Sequence, residues 1–241
     1  MGRVGLEARN RRRWMQMKRL FDILFSLVSL SLLILPFAVI GTAIKISSRG
    51  PVFYRQQRIG LGGRPFWLYK FRTMYGGVGG SLITVEGDSR ITPLGRVLRR
   101  WKLDELPQLW NVVLGEMGII GPRPEAERLV RQYTPEQHRI LESTPGLAGM
   151  SQLVYPHEAE LLRGCRDPEE VYVKALMPRK IAVDLEYERT RTFLTDLSLL
   201  GKLLLLIAVR KSRHTEHDLD ACVAVESELQ GAGKTKEFNI L

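Results

Sequence analysis

The sequence predicts a mostly helical α+β fold, in which a re-entrant membrane helix broken at a proline precedes a compact interfacial domain with amphipathic surface helices. Three observations support this prediction. Residues 23–44 contain no charged side chain, Pro36 interrupts them, and basic residues flank both of their ends. Beyond them, two short aromatic runs separated by glycines predict one small β-hairpin. Most of the remaining chain consists of apolar stretches of helical length.

Composition excludes several protein classes. Hydrophobic residues make up 44% and charged residues 26% of the 241 residues, which is typical of a globular protein and excludes a wholly disordered chain. Two cysteines are too few for a disulfide framework or a four-cysteine zinc site. The net charge is +10, and all of the excess positive charge lies in the first 103 residues. We therefore expect the N-terminal part to face anionic lipids.

The uncharged segment admits two topologies. Its 22 residues would extend about 33 Å as a helix, enough for a simple transmembrane crossing. However, Pro36 removes one backbone donor and breaks the helix, and neither half is long enough to span alone. The positive-inside rule also keeps both basic flanks in the cytoplasm, which a straight crossing cannot do. These features favour a segment that enters and leaves by the cytoplasmic face, with the helix break at Pro36.

We divide the chain into a basic N-terminal segment (1–19), the re-entrant helix (20–48), a cytoplasmic domain (49–210) and a polar tail (211–241). Residues 52–56 and 66–71 form the predicted hairpin. Helices are predicted over residues 92–102, 105–114, 125–133, 169–191 with an interruption at Pro178, and 196–209. The last helix has a central Lys202 and is too short to span, so it lies on a membrane surface or packs in the core.

Residues 96–125 hold the side chains best suited to chemistry. Arg99 precedes the acidic pair Asp104-Glu105 by five residues, and Arg123 follows within a Pro-Arg-Pro tripeptide. Adjacent carboxylates on a helix point about 100° apart, so they suit joint binding of a hard cation better than the sharing of one proton. Guanidinium groups bind phosphate in paired hydrogen bonds. The pattern indicates phosphoryl chemistry with Mg²⁺, although a solvated charge pattern on a surface helix is the common alternative.

Seven ordered motifs then point to one family. They are Lys-Arg-Leu-Phe-Asp at 18–22, the proline-interrupted segment, Gly-Pro-Val-Phe-Tyr-Arg-Gln at 50–56, Lys-Phe-Arg-Thr-Met at 70–74, Leu-Asp-Glu-Leu-Pro-Gln at 103–108, Gly-Pro-Arg-Pro at 121–124 and Pro-Gly at 145–146. Over residues 17–208 the chain resembles the bacterial sugar transferase family, the monotopic polyprenyl-phosphate phosphoglycosyl transferases, in its minimal catalytic form. The resemblance implies a re-entrant helix and a small catalytic domain on the cytoplasmic face of the bacterial inner membrane.

The resemblance also implies an activity. Such enzymes transfer a sugar-1-phosphate from a UDP-sugar to polyprenyl (undecaprenyl) phosphate and release UMP, the first membrane step of surface glycoconjugate or exopolysaccharide synthesis. The implied partners are a UDP-sugar, polyprenyl phosphate and anionic inner-leaflet lipids, with no nucleic acid, while homodimer formation stays open. The implied cofactor is Mg²⁺.

Site roles follow from the same resemblance. Asp104 matches the nucleophile that becomes phosphoglycosylated, and Glu105 completes an acidic dyad that holds Mg²⁺. The matching substrate- and phosphate-binding residues are Arg99, Arg123, Lys70 and Arg72. Physically, attack by a carboxylate splits one transfer between two anions into two steps, and the cations disperse the phosphoryl charge.

Two other function classes remain as alternatives. A bitopic glycosyltransferase would release UDP instead of UMP. A membrane-anchored basic adaptor that binds anionic lipid or nucleic acid would leave the acidic dyad without a purpose. The chain also departs from the family pattern, with Leu35 in place of a common serine, Ala148 in place of threonine and Met150 in place of tryptophan. The transferred sugar therefore stays undetermined.

Overall fold

The computed structural model describes residues 2–76, 83–85 and 87–209, with side chains described from Trp14 onward. It has the predicted α+β composition, with helices throughout, one antiparallel strand pair and one parallel pair. The predicted polar tail, residues 211–241, lies outside the described residues.

The α-helices are α1 (Gly2–Leu32), α2 (Ile34–Ser47), α3 (Pro93–Arg100), α4 (Leu109–Leu114), α5 (Glu127–Val130), α6 (Met150–Val154), α7 (Glu158–Leu161), α8 (Pro168–Val171), α9 (Met177–Thr190) and α10 (Phe193–Val209). The strands are β1 (Phe53–Ile59), β2 (Pro65–Phe71), β3 (Gly118–Ile120) and β4 (Gly146–Ala148).

Helices α1 and α2 form a bent pair. Trp14–Leu32 and Ile34–Ser47 meet at 61°, and the break falls at Leu33, just under one turn before Pro36. A proline ring presses on the carbonyl of the preceding turn and offers no amide hydrogen, which places the bend there. In the described part of the chain no single helix could cross a membrane by length and composition, whereas this pair passes that test when taken together.

The predicted hairpin is confirmed. Strands β1 and β2 pair antiparallel, with Phe53 opposite Phe71 and Ile59 opposite Pro65. The connecting 3₁₀ turn contains Gly62 and Gly63, both at positive φ, a conformation that glycine adopts without strain. Phe71 packs with Ile44 of α2 and Leu98 of α3 in one buried cluster, so the hairpin joins the bent pair to the rest of the domain.

A second strand pair was not predicted from the sequence. Strand β3 pairs parallel with β4, which lies in a region that the Pro-Gly dipeptide predicts to be a loop. The two chains approach closely, because a Cβ atom on Gly146 would lie 2.1 Å from the backbone nitrogen of Gly121. Only glycine fits there, and the contact fixes the start of the loop that contains Arg123.

The helical predictions hold in position but differ in detail. Helix α3 begins after Thr92, whose hydroxyl accepts a hydrogen bond from the Gly95 amide at 2.8 Å. The helix predicted over residues 105–114 divides into a 3₁₀ turn, Leu103–Gln108, and α4. Because Pro107 lies within that turn, it cannot donate the backbone hydrogen bond that a continuous helix needs. The helix predicted over residues 125–133 shortens to α5.

The predicted break at Pro178 is not an end of the helical segment. Helix α8 continues through a π-helical turn, Tyr172–Leu176, into α9. Pro178 lies in the first turn of α9, where a missing amide hydrogen costs little. The final helix, α10, buries Leu199 and Leu203 and exposes Leu194, Leu204, Leu205 and Val209, so it is an apolar surface helix with one packed face.

Candidate active site

The 3₁₀ turn Leu103–Gln108 positions the two acidic residues. Lys102, the residue before it, adopts a left-handed backbone conformation with φ 55° and ψ 18°, the only positive φ at a non-glycine residue in the described ranges. Its carbonyl accepts the Glu105 amide at 3.2 Å, which closes the first turn. Asp104 and Glu105 are each only 6% exposed. Burial of two neighbouring carboxylates is costly unless cations or a ligand compensate their charges.

Glu105 is compensated by two cations from distant parts of the chain. Its Oε1 accepts from Lys70 Nζ at 3.0 Å and from Arg123 Nη2 at 2.7 Å, and its Oε2 accepts weakly from Arg123 Nη1 at 3.4 Å. Burial alone would raise the pKa of Glu105, but the charges of Arg123 and Lys70 outweigh it and hold that pKa well below its usual range. Glu105 is therefore an anion that joins strand β2 to the loop after β3.

For Lys70, in contrast to Glu105, the effect of burial on the pKa is larger than the effect of the neighbouring opposite charge. Burial lowers the pKa of Lys70 to about 8, although the charge of Glu105 opposes the shift. Its ammonium lies at the end of β2, where the hairpin reaches the 3₁₀ turn. Lys70 and Arg123 together place two positive charges against one carboxylate of the pair.

Asp104 differs from its neighbour because its Oδ1 atom is buried and has no hydrogen-bond partner. Burial raises the pKa of Asp104, and the negative charge of Glu105 raises it further. An unpartnered buried carboxylate oxygen is a group that a ligand can satisfy.

Among the described residues, no group of three or more His, Cys, Asp or Glu side chains forms a complete metal cage. Mg²⁺ does not need such a complete cage of protein ligands, because it binds through one or two carboxylates together with waters and substrate phosphates. The free Asp104 oxygen fits such an ion.

Arg99 and Arg100 lie in different surroundings, as their places on helix α3 predict. Arg99 is partly buried, and its Nε donates to the Thr73 hydroxyl at 2.8 Å. Burial lowers the pKa of Arg99, with the charge of Asp104 opposing the shift, so the guanidinium lies within electrostatic reach of the dyad. Arg100 is exposed. Sequence reasoning missed Thr73, because it lies 26 residues from the guanidinium that it supports.

Arg72 lies elsewhere. Its guanidinium donates to the carbonyls of Arg49 and Ser48, both at 2.8 Å, and to the Ser48 hydroxyl at 3.0 Å. These groups are at the C-terminal end of α2, where backbone carbonyls have no partner within the helix. The structure therefore brings Lys70, Arg99, Asp104, Glu105 and Arg123 around one site, whereas Arg72 joins strand β2 to the bent helix pair.

Two further supports of the site were not predicted. Arg19 donates to the carbonyls of Val112 at 2.6 Å and Val113 at 3.1 Å, at the end of α4. The Asn111 side chain accepts from the Tyr69 amide at 3.1 Å and donates to the Trp67 carbonyl at 2.7 Å. Both contacts join segments more than 40 residues apart, so no local sequence pattern could have identified them.

A family model and individual known proteins both match this chain and point to the same family. The family model for bacterial sugar transferases matches residues 13–210. The chain is 36% identical over 187 residues to a UDP-glucose:undecaprenyl-phosphate glucose-1-phosphate transferase of Caulobacter vibrioides, covering 76% of this chain and 66% of that protein. It is 37% identical over 194 residues to the exopolysaccharide production protein PSS of Rhizobium leguminosarum bv. phaseoli, covering 76% and 91%.

A third similar protein extends the range of named substrates. The chain is 37% identical over 151 residues to a UDP-N-acetylgalactosamine-undecaprenyl-phosphate N-acetylgalactosaminephosphotransferase of Aeromonas hydrophila, covering 59% of this chain and 35% of that protein. The matched region thus spans most of the Rhizobium protein, about two thirds of the Caulobacter protein and about one third of the Aeromonas protein.

Proposed function

Because this chain belongs to the bacterial sugar transferase family, we propose that it transfers a sugar-1-phosphate from a UDP-sugar to undecaprenyl phosphate and releases UMP. The named activities of the Caulobacter and Aeromonas relatives support the reaction class. The observation that carries the proposal is the asymmetry of the dyad. Glu105 is held by two cations, whereas the neighbouring Asp104 keeps a buried oxygen without a partner.

The proposed reaction has two steps. In the first, an Asp104 oxygen attacks the β-phosphorus of the UDP-sugar, the bond from that phosphorus to the bridging oxygen breaks, and UMP leaves. In the second, a phosphate oxygen of undecaprenyl phosphate attacks the same phosphorus. The aspartyl oxygen is displaced, which regenerates the carboxylate and forms the lipid diphosphate sugar.

Each residue of the site has a proposed part in these steps. Asp104 is the nucleophile, and Arg99 and Arg123 bind the donor phosphates with paired donors. Lys70 and Arg123 hold Glu105 in place as an anion. The dyad would hold Mg²⁺, mainly through the unpartnered Asp104 oxygen, since both Glu105 oxygens already accept hydrogen bonds. A bound Mg²⁺ would neutralise part of the diphosphate charge.

We propose further that the α1–α2 pair is a re-entrant membrane segment and that the domain works on the cytoplasmic face of the inner membrane. The exposed apolar side chains of the pair and of α10 support this arrangement, as does the 61° bend. A lipid acceptor remains in the bilayer, so an enzyme that uses it needs its site at the interface. The basic flanks would attract anionic lipids there.

The reaction is tested with purified protein, undecaprenyl phosphate and a panel of UDP-sugars. The panel includes UDP-glucose and UDP-N-acetylgalactosamine, the donors in the names of the relatives. We expect UMP as the released nucleotide. Release of UDP would instead support a glycosyltransferase, and absence of any turnover would support a binding protein.

The covalent step is tested without the lipid. With UDP-sugar and Mg²⁺, we expect a burst of about one equivalent of UMP and a protein mass increase of one sugar phosphate, mapped to Asp104. Asp104→Asn should abolish both signals, and Glu105→Gln should weaken both severely. If a fully active preparation releases no nucleotide until lipid is added, the attack is direct and Asp104 is not the nucleophile.

The topology is tested by thiol labelling in intact cells. Single cysteines at residue 12 and at exposed Gln57, in a chain with Cys165 and Cys222 replaced by serine, should both resist an impermeant reagent. Labelling of one position alone would show that the segment crosses the membrane.

A further inference from the structure

The loop that contains Arg123 is anchored by Glu125, two residues further along the chain. The Glu125 Oε2 atom accepts from Arg58 Nη1 at 3.3 Å, and the same arginine nitrogen contacts the Pro124 carbonyl at 3.3 Å. The Glu125 carbonyl accepts the Ile59 amide at 2.9 Å. Strand β1 therefore holds one side of this loop through both the side chain and the backbone of Glu125.

The other side is held by Tyr172. Its hydroxyl donates a short hydrogen bond to Glu125 Oε1, and the residue is only 2% exposed. Tyr172 begins the π-helical turn between α8 and α9, and such turns occur frequently at functional sites. Burial raises the pKa of Tyr172 well above its usual range, and the charge of Glu125 adds to the shift, so the hydroxyl remains a donor.

Lys180 of α9 completes the chain of contacts. Its ammonium donates to the Tyr172 hydroxyl at 3.3 Å, lies 5.1 Å from the centre of that ring, and pairs with Glu158. Burial would raise the pKa of Glu158, but the charge of Lys180 outweighs it and lowers that pKa. The charge of Arg123 acts in the same direction on Glu158, so this buried network lies within electrostatic reach of the site.

We propose that Glu125, Tyr172 and Lys180 are positioning residues for Arg123. The contacts run from Lys180 to the Tyr172 hydroxyl, then to Glu125, and along two residues of backbone to Arg123, which holds Glu105. This inference rests on the proposed function only for its kinetic readout. The exact position of the Arg123 guanidinium matters for catalysis, because a displacement of about 1 Å at a reacting group can cost about 100-fold in rate.

A purely structural role is the competing explanation, because Tyr172 also belongs to the largest buried cluster. The two explanations separate in matched variants. Tyr172→Phe removes only the hydroxyl, and with it the contacts to Glu125 and Lys180. Tyr133 lines a small cavity together with Tyr172, Glu125 and Arg123, and no described residue hydrogen-bonds to its hydroxyl. Tyr133→Phe therefore removes a neighbouring hydroxyl without removing a contact to Glu125. A structural role predicts similar consequences for both variants, whereas a positioning role predicts a difference at the Arg123 loop.

The first measurement is hydrogen exchange at two amides that donate to carbonyls of the Arg123 loop, Ile59 to Glu125 and Gly146 to Pro122, both at 2.9 Å. Tyr172→Phe should speed this exchange at least about tenfold, and Tyr133→Phe should leave it unchanged. Unchanged exchange in Tyr172→Phe, or equal acceleration in both variants, would overturn the proposal. This readout needs no transferase activity, so it judges the proposal even if the proposed function fails.

The second measurement is a double-mutant cycle on UMP release. Tyr172→Phe should reduce kcat/KM for the UDP-sugar by about 10- to 100-fold in the wild-type background. In an Arg123→Ala background the same change should cost less than about threefold, because its effect passes through Arg123. Additive losses in the two backgrounds would contradict positioning. Lack of turnover by the wild-type protein on every donor would count against the proposed function alone.

Discussion

The bent helix pair and the carboxylate site distribute apolar and charged groups in opposite ways. Around the bend between α1 and α2 the large apolar side chains lie outside, and Leu32, Ile34 and Leu35 are 69–76% exposed. Around the 3₁₀ turn Leu103–Gln108 the charged groups lie inside, with Asp104 and Glu105 nearly inaccessible. Both arrangements are unfavourable in water and each needs its own compensation. In the proposed function a bilayer covers the first region and cations and phosphates satisfy the second.

Two arginines connect these regions by the same means. Arg19 of α1 donates to carbonyls at the end of α4, and Arg72, the residue directly after β2, donates to carbonyls at the end of α2. The last carbonyls of a helix lack partners within it and carry partial negative charge, so a guanidinium is a suitable cap. The structure thus places one arginine, Arg123, against the acidic dyad and two others at helix ends, a difference that spacing in the sequence does not reveal.

The largest expected effect is the loss of kcat/KM when an arginine beside the dyad is replaced by lysine. Arg123→Lys keeps the charge but loses the fork that contacts both Glu105 oxygens, and we expect kcat/KM to fall by about 30- to 1,000-fold, or about 2–4 kcal/mol in the transition state. Arg99→Lys should behave similarly. Arg100→Ala, which removes an exposed neighbour, should change the rate by less than about threefold. Equal losses at Arg99 and Arg100 in the UMP-release assay would show that general basicity matters instead of geometry.

Arg72 should affect assembly more than chemistry. Arg72→Met removes the hydrogen bonds that the buried Arg72 guanidinium donates to Ser48 and Arg49, and we expect a loss of about 2–4 kcal/mol in the free energy of unfolding. Arg64→Met, in the exposed turn of the same hairpin, is the matched control and should change stability by less than about 0.5 kcal/mol. Urea unfolding in one detergent compares them. A stable Arg72→Met variant with a lost donor affinity would place Arg72 with the substrate-binding arginines.

The pH dependence of kcat/KM examines the charges of the buried site. The pKa of Lys70 is lowered to about 8, so its positive charge is present below about pH 8 and is lost above it. Activity should therefore decline on the alkaline side, by about tenfold one unit above that pKa. On the acid side it should decline through a pKa above the ordinary aspartate value, because burial raises the pKa of Asp104.

Lys70→Arg is the diagnostic variant for the alkaline decline. An arginine stays charged across this range, so the decline should move to higher pH even if the maximal rate is smaller. An unchanged alkaline profile in this variant would assign the decline to another group.

The smallest expected effect concerns Lys102. Lys102→Gly and Lys102→Ala both remove an ammonium whose charge acts on Asp104 and Glu105, and each should slow the reaction a few-fold. Only glycine adopts the left-handed backbone without strain, so we expect Lys102→Gly to be about 1 kcal/mol more stable than Lys102→Ala. Equal unfolding midpoints for the two variants would show that this backbone conformation stores no strain.

The amino-acid sequence by itself determined the local elements. The aromatic runs and glycines determined the hairpin, Thr92 and Pro93 determined the start of α3, and Pro36 determined a bend between two helices. These features depend on interactions within a few residues, such as a cap, a missing amide hydrogen or a left-handed glycine. The family motifs likewise placed Asp104, Glu105, Arg99 and Arg123 in one stretch of chain.

The tertiary structure decided how those residues are used. It brought Lys70 and Arg123 to one oxygen of Glu105 across 35 and 18 residues, and it left the Asp104 oxygen without a partner. It also placed Arg72, which is two residues from Lys70, at a helix end instead of at the dyad. The burial that shifts the pKa values of Lys70 and Asp104 arises where the hairpin, the 3₁₀ turn and the loop after β3 pack together. Such packing depends on contacts between distant segments, and no local pattern in the sequence records them.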